Sequence, residues 1–164
     1  RLAKGWSISE DGRTFTFDLQ DGVEFQDGTP FNAEAVKFSL ERTKELNPYV
    51  KASLGMIDSI ETTTDSEVVV HLSEPYPAFM SILAQPQAAI VSPAAVEEYG
   101  DDFANHPVGT GPFVFRAYEP DTRVVLDANP LNDITNTRRI ASVYLRGSEV
   151  DREAISARLL AAGG

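Results

Sequence analysis

The sequence predicts an α+β chain, with antiparallel hairpins and helices set between them. Three observations carry that prediction. Apolar and polar residues alternate on both sides of short turn signals in three places, at 6–19, 56–72 and 113–128. A helical stretch at 33–46 lies between a capping asparagine and an Asn-Pro stop. Glycine, proline, aspartate or asparagine punctuates nearly every junction between these runs.

Trp6 and Ile8, then Phe15, Phe17 and Leu19, flank Glu10-Asp11-Gly12-Arg13. Period-two apolar faces around an Asp-Gly turn read as a hairpin. Phe15, Phe17 and Leu19 should point into one core with Trp6 or Ile8, while Thr14, Thr16 and Asp18 face away. A one-residue slip would reverse both faces. Val23 and Phe25 continue the apolar face after Asp21-Gly22, and Asp27-Gly28-Thr29-Pro30 makes a further turn. Asn32 is placed as an N-cap, with Phe31 and Val36 at the positions of a hydrophobic staple. The helix then runs from Ala33 to Leu46 and stops at Asn47-Pro48, since a residue before proline is biased out of helical geometry. Val36, Leu40 and Thr43 share its apolar face, and Phe38 widens it toward the core.

Residues 56–61 and 67–72 read as a second hairpin around Thr64-Asp65-Ser66. Glu74-Pro75-Tyr76-Pro77 starts a short helix through Leu83. Ser92 caps another, with Pro93 at its first position and Gly100 just past its end. Residues 113–118 and 123–128 form a third hairpin around Glu119-Pro120-Asp121-Thr122. A strand at 140–145 and a helix from Glu149 to Ala162, capped by Ser148, complete the reading.

Composition narrows the function classes. The 14 Lys+Arg against 25 Asp+Glu give a net charge of −11, which argues against nucleic acid or an anionic membrane as the main partner. A hydrophobic content of 42% with 9% aromatic residues is that of a folded domain. There is no cysteine, hence no disulfide framework and no thiolate metal site. No stretch is apolar for the ~18 residues of a membrane span. His71 falls on the polar face of a strand and His106 precedes Pro107 in a loop. Neither has a second histidine or a carboxylate at metal-ligand spacing, so no metal or cofactor is expected. No serine lies in a Gly-x-Ser-x-Gly elbow, and acid pairs such as Glu97-Glu98 and Asp101-Asp102 read as solvated surface. The chain is expected not to be an enzyme.

The loop Pro107-Val108-Gly109-Thr110-Gly111-Pro112 feeding Phe113-Val114-Phe115 is the most distinctive local feature. It is no phosphate cradle: Pro112 lacks an N–H and the glycines open a strand, not a helix. Upstream, residues 15–42 hold Phe15-Thr16-Phe17, Gly22-Val23-Glu24-Phe25, Asp27-Gly28-Thr29-Pro30-Phe31 and Phe38-Ser39-Leu40. These two blocks, in this order and spacing, with Ile90-Val91-Ser92-Pro93 between them, resemble the family 5 extracellular solute-binding proteins. Those are the peptide, oligopeptide and nickel receptors of ABC importers. One departure is Leu131-Asn132-Asp133-Ile134 after Asn129-Pro130, where the family usually continues with Tyr-Trp.

The resemblance implies a fragment of the first lobe of a two-lobed periplasmic binding protein of the peptide-binding type. Residues 1–106 would form an appended subdomain and 107–164 the start of the main cleft-bearing lobe. The implied function is non-catalytic capture of a small solute, expected to be a peptide, for delivery to a membrane permease. The implied location is periplasmic or extracellular, with lipoprotein anchoring open. Two rivals are a solute-sensing module of a transcription regulator and a structural or enzymatic domain. Leu83-Ala84-Gln85-Pro86-Gln87-Ala88 would line the cleft, making Gln85 and Gln87 the candidate solute-binding residues. An amide both donates and accepts, which suits a peptide backbone; a loop glutamine facing water is the competing reading. The chain, starting at Arg1 within a strand approach, reads as an excised fragment that folds but binds weakly. It is also expected to self-associate through Ile155 and Leu159.

Overall fold

The first two hairpins merge into one antiparallel sheet. The computed structural model describes residues 1–46, 54–119, 122–128, 144–145 and 148–149. Strands β1 (Ala3–Ile8) and β2 (Thr14–Leu19) form one hairpin, β3 (Ile57–Thr64) and β4 (Glu67–Leu72) the other. β2 pairs with β4, giving the order β1-β2-β4-β3. Gly12, at φ +68°, supplies the left-handed position of the first turn. Phe15 lies opposite Val70 and Phe17 opposite Val68, so both strands turn the same apolar set inward. Phe15, Phe17 and Leu19 are buried, whereas Thr14 and Thr16 are half-buried and Asp18 is exposed. The predicted register of β2 therefore holds.

Helix α1 (Ala33–Leu46) packs over the β3–β4 side of this sheet. Its cap is as expected, the Ala35 N–H donating to Asn32 Oδ1 at 3.0 Å. Helix α2 (Phe79–Leu83) closes the core from below β2, where Phe79 meets Phe15 edge to face with ring centroids 4.9 Å apart. Helix α3 (Pro93–Tyr99) is capped by Ser92, whose Oγ accepts from the Ala95 N–H at 3.2 Å, and is closed by Gly100 at φ +52°. A 3₁₀ segment, Gly100–Asn105, follows.

Several expectations are corrected. Trp6 and Ile8 oppose Phe17 and Phe15 and so share the core face. They are nevertheless 49% and 50% exposed, because β1 is an edge strand and α1 lies over the other half of the sheet. Val23 and Phe25 do not extend a strand. Phe25 is buried, but within a turn closed by its N–H on the Thr29 carbonyl at 2.8 Å, and it packs against Phe31. The buried face of α1 is Ala33, Ala35, Ser39 and Leu40, with Phe38 and Thr43 only half-buried. The helix is covered on a second flank: the Ser39 hydroxyl donates to the Ala35 carbonyl at 2.7 Å and accepts from the Val91 N–H at 3.0 Å. α2 begins at Phe79, past the two prolines rather than among them.

β5 (Phe113–Glu119) and β6 (Arg123–Ala128) form a separate hairpin, with a register shift between Phe115 and Ala117. Tyr118, Val124 and Leu126 on it are exposed. β7 (Tyr144–Leu145) pairs with β8 (Ser148–Glu149). Ser148 and Glu149 thus lie in a short strand where a cap and a first helical turn were expected, since their backbone groups bond across to Tyr144 and Leu145. The remainder of that helix, with Ile155 and Leu159, lies outside the described residues. So do the Asn47-Pro48 stop and residues 129–139.

Candidate functional site

The segment that follows α2 carries both candidate glutamines. Gln85 is extended, at φ −89° and ψ 154°, as its place before Pro86 demands. Pro86–Ala88 then makes one 3₁₀ turn, closed by the Ala88 N–H on the Gln85 carbonyl at 3.0 Å. That turn brings the two side chains together: Gln87 Nε2 donates to Gln85 Oε1. The paired amides present a donor from Gln85 and an acceptor from Gln87, the complement of a peptide unit. Gln85 is exposed and Gln87 half-buried.

Gln85 also stands on the rim of an open cavity of about 460 Å³. Phe17, Leu19, Phe31, Leu40 and Leu83 line it, so its wall is almost wholly apolar. Val36 and Leu40 of α1, Val68 and Val70 of β4 and the 83–90 segment also border it. Gln87 does not reach it.

The motif residues that drew attention in the sequence hold the fold together. Asp27 Oδ1 accepts from the Thr29 N–H at 2.9 Å and from the Thr29 hydroxyl at 2.6 Å, and Gly28 takes φ +82°. Asp27 Oδ2 accepts from the Ser92 hydroxyl, which ties this turn to the cap of α3. Partial burial pushes the Asp27 carboxyl up, but the Ser92 and Thr29 hydrogen bonds outweigh it and hold it below its ordinary value. The loop at 107–112 is bound by Gln26 and by the Ser92 N–H, which donates to the Val108 carbonyl at 3.1 Å. Nothing in the sequence singled out Gln26.

The two histidines are occupied structurally. His71 Nδ1 is 3.2 Å from Thr14 Oγ1, and its Nε2 is 3.4 Å from the Glu61 carboxylate. His106 stacks on Tyr99 with centroids 4.4 Å apart and sits 3.1 Å from the Asp102 carboxylate. Among the described residues no group of three or more His, Asp or Glu is placed to hold a metal ion. No described helix is long and apolar enough to cross a membrane.

This mixed sheet-and-helix arrangement is that of two-lobed periplasmic binding proteins. The model of bacterial extracellular solute-binding proteins, family 5, matches residues 1–144, and the chain belongs to that family. It is 43% identical over 126 residues to the glutathione-binding protein GsiB of Escherichia coli O157:H7, covering 74% of this chain and 23% of that one. Among solved structures it resembles the periplasmic binding protein DppA of Helicobacter pylori in complex with the peptide STSA. The TM-score is 0.70 at 30% identity, over 79% of this chain and 30% of that chain. A nickel ABC transporter protein from Bacillus halodurans gives a TM-score of 0.69 at 37% identity, over 78% and 25%. The chain therefore spans less than a quarter of the length of its glutathione-binding relative.

Proposed function

We propose that this chain is part of the substrate-binding component of an ABC importer, which captures a small peptide and hands it to a membrane permease without altering it. The observation that carries this reading is the family match across residues 1–144, with a glutathione-binding relative at 43% identity. Glutathione is itself a modified tripeptide, and the H. pylori relative binds a tetrapeptide. Residues 1–106 act as the appended subdomain and 107–164 begin the cleft-bearing lobe. A separate β5–β6 sheet after the 107–112 loop supports that division. The working location is outside the cytoplasmic membrane, in the periplasm or on a lipid anchor, in line with the family's extracellular character. Fractionation of cells making the full-length protein tests it.

Gln85 and Gln87 serve as solute contacts within this reading. Their paired amides offer one donor and one acceptor to a peptide bond. Solute enclosure then comes from closing the second lobe over this one by hinge motion. The test is calorimetry on the full-length receptor with glutathione, a di- and tripeptide panel, nickel–histidine and opines. Heat of binding from glutathione or a peptide supports the reading; binding of nickel–histidine or opines alone overturns the peptide class. Gln85→Ala should weaken peptide affinity about 3- to 10-fold, as expected for one hydrogen bond of about 0.5–1.5 kcal/mol. An unchanged affinity would remove Gln85 from the site.

A further inference from the structure

The β5–β6 hairpin packs broadly against no other described element. What joins it to the first unit is the 107–112 loop, and one side chain dominates that joint. Gln26 Nε2 donates to the Gly111 carbonyl at 2.9 Å and to the Phe113 carbonyl at 2.6 Å. Gln26 Oε1 receives the Gly109 N–H at 3.4 Å, and the Gln26 backbone N–H donates to the Gly109 carbonyl at 2.9 Å. A single residue thus binds Gly109, Gly111 and Phe113 on one edge of an extended loop, much as a neighbouring strand would. The loop has no ladder of its own, so these bonds satisfy backbone groups that would otherwise depend on water. Only an amide does this: two donors and one acceptor on one planar group. A carboxylate would face two carbonyl oxygens with no hydrogen to offer.

We infer that Gln26 is the positioning residue of the junction between residues 1–106 and the β5–β6 unit, setting the angle at which the hairpin leaves the first unit and, through it, solute affinity. Phe113 is the first residue of β5, so a fixed Phe113 carbonyl fixes the strand's origin. The link to affinity rests on the solute-binding reading above, because the hairpin belongs to the proposed cleft-bearing lobe. The clasp itself does not.

The experiment uses the full-length receptor with two near-isosteric variants, Gln26→Met and Gln26→Glu. Hydrogen exchange reads the Gly109 and Gln26 amides without solute, with the Phe17 and Val68 amides in the sheet as the folding control. Both variants should speed exchange at Gly109 about tenfold or more and leave the sheet unchanged. Calorimetry with glutathione as probe should show affinity reduced about 3- to 10-fold at pH 7. Lowering the pH toward 5 should return part of that loss in Gln26→Glu alone, since a protonated carboxyl regains one donor. Asp27, Tyr99, His106 and Arg116 line the small cavity at this junction, so wild type and Gln26→Met provide the pH baseline for those groups. Unchanged Gly109 exchange in both variants overturns the clasp. Faster exchange with unaltered affinity overturns the link to binding. If the wild type does not bind glutathione, the affinity comparison uses whichever solute of the panel it does bind, and exchange decides the clasp without solute.

Discussion

Phe79 is fully buried and meets Phe15 edge to face at 4.9 Å. Phe79→Ala removes that pair and leaves a cavity between α2 and the sheet, with an expected loss of about 3–5 kcal/mol in urea unfolding. At Asp27 the prediction concerns pH. Its folded carboxyl lies below the ordinary value of 3.8, so the stability it contributes is present above 3.8 and is lost as pH falls through that value toward the lowered one. Asp27→Asn should therefore lower the urea midpoint at pH 7 and show a shallower decline than wild type between pH 5 and about pH 3. Parallel declines in the two proteins would remove Asp27 from the acid response. Neither role was visible as such in the sequence. Phe79 follows two prolines with no periodic pattern long enough to read, and the partners of Asp27 include Ser92, 65 positions away.

Elements were far more legible than their surroundings. α1 begins where its cap places it, and Asn32 bonds the Ala35 N–H as an N-cap should. Asn32→Ala should cost about 1 kcal/mol in thermal or urea unfolding. The hairpins likewise follow their turn residues, since alternation and an Asp-Gly pair act over a few residues. Exposure of β1 did not follow. Trp6 and Ile8 lie on the predicted face, yet half of each side chain meets solvent because α1 covers the β3–β4 side. Ile8→Thr should consequently cost at most about 1 kcal/mol, against about 3–5 for Phe17→Ala on the covered strand beside it. Equal costs would mean that β1 is buried as deeply as β2. The candidate loop sits between these extremes. The Gln85-Pro86 pair announced an extended residue and a turn, but the bond from Gln87 to Gln85 arises only once the 3₁₀ turn folds them together.

For the whole molecule, the 164-residue chain by itself should fold cooperatively yet bind peptide weakly or not at all. The sheet, α1 and α2 share one continuous core, which supports folding. Affinity in a two-lobed receptor comes from closure of both lobes on the solute, and this chain matches less than a quarter of its glutathione-binding relative. Calorimetry giving micromolar peptide affinity for the isolated chain would defeat that expectation. The sequence by itself determined the α+β class, the three hairpins, the caps of α1 and α3 and the family resemblance, because alternation, capping and turn chemistry are settled by residues close along the chain. Only the tertiary structure decided that β2 pairs with β4, that Trp6 and Ile8 stay half exposed, and that Gln26 grips a loop as far as 87 positions away. Those outcomes depend on which distant backbone groups and apolar faces come together, and no local pattern encodes a partner so remote.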